Sequence, residues 1–176
     1  MQFFIDTVTN AVHAFEDNVV VKETGGVYSF VAPNGGALNA PATLQPYTPP
    51  APTNEQLLAQ AQDKQLAALY AAYQQAVQQP VSYTSEGGVT KTYQADPDSV
   101  ANLTRMLLAF GAAQAVPSGF YWVAADNTKV PFTYADLQGL AQAIGTQGEA
   151  AFQHLQALKD QVRAAASVAA VQAITW

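Results

Sequence analysis

Residues 120–144 read FYWVAADNTKVPFTYADLQGLAQAI, and the hydrophobic period changes partway through them. From Phe120 to Phe132 the run is aromatic and β-rich around the turn pair Asp126-Asn127, which predicts a β-hairpin. After Thr133, Leu137, Leu140, Ala141 and Ile144 fall at helical spacing. Thr133 is placed to cap that helix, with the acid Asp136 three residues on, and the helix is expected to be short and to end around Gly145. Upstream, Val100, Leu103, Leu107 and Phe110 mark a helix that stops before Pro117. Downstream, Phe152, Leu155, Val162, Ala166 and Ala169 mark a last helix from near Gly148 to about Ala173. Ser99–Trp176 therefore predicts helix, hairpin, helix, helix, and only this region is rich enough in large apolar residues for a compact core. Ile174 and Trp176 are too apolar for a trailing end and are expected to dock on the 120–132 hairpin or on the first long helix.

Working outward, Val81–Thr84 and Val89–Tyr93 predict a second hairpin around Glu86-Gly87-Gly88. Asp98 or Ser99 can cap the helix that follows; if Asp96 caps it, Pro97 takes the favoured first position. Before this hairpin, Thr53 and Gln56 have the spacing of a capping box for a helix stopped by Pro80. Its stripe of Leu58, Ala61, Leu66, Leu69, Tyr73 and Ala76 suits a coiled coil with another copy or packing on the chain's own last helix. Residues 33–53 hold Pro33, Pro41, Pro46, Pro49, Pro50 and Pro52, which predicts an extended linker. Residues 1–32 predict four short strands: Phe3–Ile5, Ala11–Phe15, Val19–Val21 and Val27–Val31. The fold class is α+β: an N-terminal β-module (1–32), a proline-rich linker (33–53), a long amphipathic helix (54–80) and a C-terminal domain (81–176).

Composition narrows the function. Of 176 residues only 11% are charged, against roughly 25% in ordinary domains, and glutamine fills the polar helix faces. Such faces repel a neighbour weakly and suit association. The formal net charge is −6, and the seven Lys and Arg are scattered, so nucleic acid is not an expected partner. No run reaches membrane-spanning length, and the first residues lack the basic start and apolar run of a signal peptide, so a membrane is not expected either. With no cysteine, thiolate chemistry is excluded. His13, expected to face solvent on its strand, and His154 lack partners at metal-ligand spacing. Asp96 and Asp98 read as helix-capping residues. The glycine doublets sit in turns and open no phosphate loop. No catalytic, metal or cofactor residue is nominated, and no enzyme is expected. The candidate interface residues are Phe3, Phe15, Leu66, Leu69, Tyr73, Tyr121, Trp122 and Trp176. Alternation puts Trp122 and Tyr121 on opposite faces of their hairpin, one to pack on helices and one for a partner or a stacked sugar.

Residues 3–16, an aromatic strand, a Thr-Asn-Ala turn and a second aromatic strand ending near an acid, resemble the start of bacteriophage tail fibre assembly proteins. About Thr90 to Trp176 resembles a domain of unassigned function common at the C-terminus of phage tail fibre and tail assembly proteins. That likeness is carried by Tyr93, Asp96, Ser99, Asn102, Leu107, Ala112-Ala113, Trp122, Asp126-Asn127, Phe132-Thr133, Leu137, Leu140, Phe152, Leu158-Lys159, Val162 and Ile174-Thr175-Trp176. The family commonly has a more basic last helix; here only Lys159 and Arg163 stand there. The resemblance implies a non-enzymatic, chaperone-like tail fibre assembly protein that binds fibre subunits in the host cytoplasm. The alternative is a structural component kept in the virion tail, at a fibre or baseplate joint. The implied partner is a tail fibre or other tail protein, with a homo-oligomer as a further option, and no cofactor.

Overall fold

The computed structural model describes residues 1–176. They form two units, Met1–Pro52 and Thr53–Trp176, and the fold class is α+β. In the first unit β1 (Gln2–Asp6) is the centre of a three-stranded antiparallel sheet, flanked by β2 (Val12–Phe15) and β6 (Leu44–Pro46). A second sheet has the order β3 (Val20–Thr24), β4 (Val27–Val31), β5 (Ala37–Leu38). Gly25 and Gly26, with φ of 62° and 84°, make the β3–β4 turn, a conformation that side chains with a Cβ disfavour. Phe4, Val19, Phe30 and Leu44 are the buried core. Phe15 stacks on Phe30 at 4.0 Å, and Phe4 meets Phe30 edge-on at 4.8 Å. His13 shares the half-buried face of β2 with Phe15, while Val12 and Ala14 are exposed. Phe15 is the larger apolar group, so it sets the phase of the alternation and carries His13 inward, contrary to expectation.

The proline-rich stretch is built into this unit more than a linker would be. Pro33-Asn34-Gly35-Gly36 is a tight turn, closed by the Ala32 N–H on the Gly36 carbonyl at 2.8 Å, and it returns the chain as β5. Pro46 ends β6 at a sheet edge, where a missing N–H costs least. From Thr48 to Thr53 there is no regular element.

The second unit runs α1 (Asn54–Ala76), β7 (Val81–Thr84), β8 (Thr90–Tyr93), α2 (Pro97–Phe110), β9 (Tyr121–Val123), β10 (Lys129–Pro131), α3 (Tyr134–Ala164) and α4 (Val168–Gln172). The capping box of Thr53 and Gln56 is present. Asp96 caps α2 with Pro97 at the first position, and Thr133 caps α3. The two helices expected to part between Gly145 and Gly148 are one helix of 31 residues. Each glycine costs up to about 1 kcal/mol against alanine, and the many Ala, Gln and Leu around them outweigh that. Gly139 is required by packing, because a Cβ there would stand 2.8 Å from Cζ of Tyr83. The break falls later: Ala165 is extended, and Ser167 caps the short α4.

α3 joins two cores. Its first half packs Leu137 and Leu140 with Val81, Tyr93, Leu103, Val130 and Phe132 from both hairpins and α2. Its second half packs Leu155, Leu158 and Val162 with Leu69 of α1 and Val171 of α4. Leu58, Ala61, Leu66 and Tyr73 of the α1 stripe border this second core, so α1 lies on the chain's own last helices.

Glutamines tie the ends of these helices. The last carbonyls of any α-helix lack intrahelical donors. Gln62 of α1 donates to the carbonyls of Val162 (3.2 Å) and Ala165 at the end of α3. Gln65 donates to Ile174 just past α4. Gln147 of α3 donates to Ala76 and Gln79 (2.7 Å) at the end of α1. Some of the glutamine that composition assigned to association faces thus holds helix to helix inside the unit.

Candidate functional site

A cleft of about 460 Å³ opens between β9 and α2. Its first wall is the continuous run Gly119–Ala124; the second is Ser99, Asn102 and Met106, with Gln94 and Asn127 at the ends. None of these side chains is charged. Spacings of three and four put the α2 residues on one helix face. The Asp96 cap fixes the start of α2: its carboxylate accepts from the N–H groups of Asp98 and Ser99 and from the Ser99 hydroxyl at 2.7 Å, and these bonds lower its pKa.

The opposite wall is set by the β9–β10 turn. Asn127 adopts φ of 63°, and the Asp126 carboxylate accepts from the Thr128 N–H. Lys91 of β8 donates to Asp126 at 2.7 Å, and this bond, with those from Thr128, holds the carboxyl well below the usual range. The Ala125 N–H donates to the Thr92 carbonyl at 2.8 Å, which fastens the two hairpins together.

Asp136 anchors both hairpins to α3. It is 1% exposed and accepts from the Thr133 N–H and hydroxyl, the Glu86 N–H (2.7 Å) and the Tyr83 hydroxyl. Burial alone would raise its pKa, but these four donors outweigh that and keep it low. Tyr83 is pushed up to about 12 by burial and by the Asp136 carboxylate beside it. Tyr93 is fully buried, and its hydroxyl has no hydrogen-bond partner. Asp136 looked from the sequence like a helix-start acid; its second role, to receive a turn fifty residues upstream, has no local signal.

The expected interface residues are divided among different environments. Leu69 is buried in the second core, and Leu66 and Tyr73 pack against it. Phe15 packs in the core of the first unit, and Phe3 is half-buried. Trp122 is half-buried, lies nearly parallel to Phe132 (21°) and lines the cleft. Tyr121 is 45% exposed on the outer hairpin face, with Lys129 Nζ 4.7 Å from its ring centre. Trp176 is 40% exposed and docks on the long helices, 6.4 Å from Tyr73 and 4.8 Å from His154. With exposed Tyr70 and Phe152 it forms an aromatic patch that sequence spacing did not bring together.

No helix is long and apolar enough to cross a membrane. The uncharged cleft and the exposed aromatic patch are the two surface features that stand out in the second unit. Residues 60–175 match the model of a domain of unknown function, DUF4376, and the chain belongs to that family. The family is often phage-associated, which links the chain to phage proteins in general. No curated protein and no solved structure matches it.

Proposed function

We propose that this protein assists bacteriophage tail fibre assembly by binding fibre subunits, acting through binding energy alone and without catalysing a reaction. The family match over residues 60–175 carries the reading, and the likeness of residues 3–16 to tail fibre assembly proteins agrees with it. The physics is compatible. β-rich fibre subunits expose strand edges that misassociate before the fibre is complete, and a protein that covers those edges suppresses that. The first unit has such edges of its own at β2 and β3, where Val12 and Val20 are about half exposed. On this reading the protein works in the host cytoplasm during assembly and leaves before the particle matures.

A second reading, a tail component retained in the virion, draws on the aromatic patch of Tyr70, Tyr73, Phe152 and Trp176. Exposed aromatic clusters suit lasting interfaces. Quantitative mass spectrometry of purified particles separates the two. Near-absence from particles, with less soluble fibre trimer when the gene is deleted, supports the assembly role. A fixed small-integer ratio to the fibre protein assigns it to the tail. Normal fibre trimer without the gene, and no protein in particles, would remove both.

A further inference from the structure

We infer that the cleft between β9 and α2 binds an extended, uncharged peptide segment of a partner protein, which adds to β9 as a further strand. The inference goes beyond the assembly reading and requires no particular partner.

The direction of the β9 backbone carries it. The Ala124 N–H donates to Thr128, and the Phe132 N–H donates to Phe120. In an antiparallel pair such bonds recur at every second residue, so Phe120, Trp122 and Ala124 direct their backbone groups at β10. Tyr121 and Val123 direct theirs the other way, into the cleft. The next residue of that phase, Ala125, is satisfied by Thr92 of β8. Past that bond the β8 chain turns off at the Asp96 cap and becomes α2. The neighbouring strand position is therefore filled at Ala125 and open along Val123 and Tyr121. Two N–H and two C=O groups stand there at two-residue spacing, with no protein partner among the hydrogen bonds of the structure.

An occupant that satisfies this edge must itself present donors and acceptors at that spacing, which an extended peptide does. About four residues at 3.3 Å each span the open stretch. The lining selects the composition. Without a charged side chain, the cleft offers nothing to offset the desolvation of a charged residue. Asn102, Gln94 and Asn127 supply amide donors and acceptors, while Met106 and Trp122 give an apolar surface for a side chain. A neutral sugar would suit the amides and the tryptophan but would leave the strand edge unpaired.

The test uses the full chain and peptides selected on yeast from a random ten-residue library. Selected peptides are expected to shift the NMR signals of the Tyr121 and Val123 amides. N-methylation at alternate peptide residues is expected to weaken binding about tenfold or more in one register and little in the other. Val123→Pro deletes an N–H that faces the cleft and leaves the β9–β10 ladder intact, so it should cause a similar loss with an unchanged Trp fluorescence melt. Asn102→Trp, at an exposed helix position, should block the cleft from the other wall. The inference is overturned if no selected peptide reaches these amides, if N-methylation has no register dependence, or if chitotetraose titrates the same amides while peptides do not.

Discussion

Asp6 in the first unit and Asp136 in the second are both almost inaccessible to solvent, and each joins a nearby turn to a distant segment. Asp6 accepts from the Val8 N–H and Thr9 hydroxyl of the turn after β1, and from the Thr43 hydroxyl (2.6 Å) thirty-seven residues on. Asp136 accepts from the Thr133 cap and, fifty residues back, from Glu86. The difference lies in what surrounds them. The first unit buries four apolar residues, whereas the second has two cores on one continuous helix. In the small unit the carboxylate helps close the sheet; in the larger it sets a hairpin on a helix start that packing already holds. The small unit should therefore depend more on each single contact.

The largest test of that contrast is Phe132→Ala, which removes a ring packed with Tyr83, Tyr93 and Trp122. It should cost about 4 kcal/mol. Both tryptophans lie in the second unit, so Trp fluorescence in urea reads that unit alone. One shifted transition is expected, because α3 passes through both cores; two transitions would show that the cores unfold separately. Leu44→Ala should cost the first unit about 3 kcal/mol. A unit of this size has little to spare, so amide protection in β1 and β4 should collapse while the Trp curve stays in place.

Asp136→Asn keeps the shape but weakens the accepted bonds, for an expected cost of about 2 kcal/mol. The pH dependence follows from the direction of the shifts. A carboxyl held low in the folded state contributes stability above its unfolded pKa and loses that contribution as pH falls through the folded one. For Asp6, held at about 2 by Thr43, Val8 and Thr9, the loss should run from about pH 4 down to about pH 2, and Asp6→Asn should flatten it in the first unit alone. Hydrogen exchange at stepped pH measures this.

The smallest effects concern α3 and its neighbour Tyr93. A Cβ at Gly145 would meet only open space, so Gly145→Ala should stabilise by up to about 1 kcal/mol, whereas Gly139→Ala meets Tyr83 and should destabilise. Removal of an unpartnered buried hydroxyl in Tyr93→Phe should leave stability equal or up to about 1 kcal/mol higher. Thermal melts of the three variants decide the signs.

Local chemistry was legible in the sequence. The Thr53 capping box, the Thr133 cap and the hairpins at Gly25-Gly26, Glu86-Gly88 and Asp126-Asn127 depend on residues within a few positions of one another. What depends on distant partners was not. Gly145 and Gly148 looked like a break because glycine is a poor helix former, and nothing nearby shows that the helix packs into one core before them and another after them. The turn at Pro33–Gly36 was hidden by the prolines around it, and Ala37-Leu38 is too short for a period to show. The cleft was half visible: the sequence marked Trp122 and Tyr121 but could not place α2 opposite them.

The glutamine tethers have a consequence for the protein's response to its medium. A carboxamide attracts no counterion, so concentrated salt has nothing to screen at the three helix ends it secures. Only three ion pairs exist, and all lie in contact with solvent. The unit that carries the cleft should keep its fold from dilute buffer to brine.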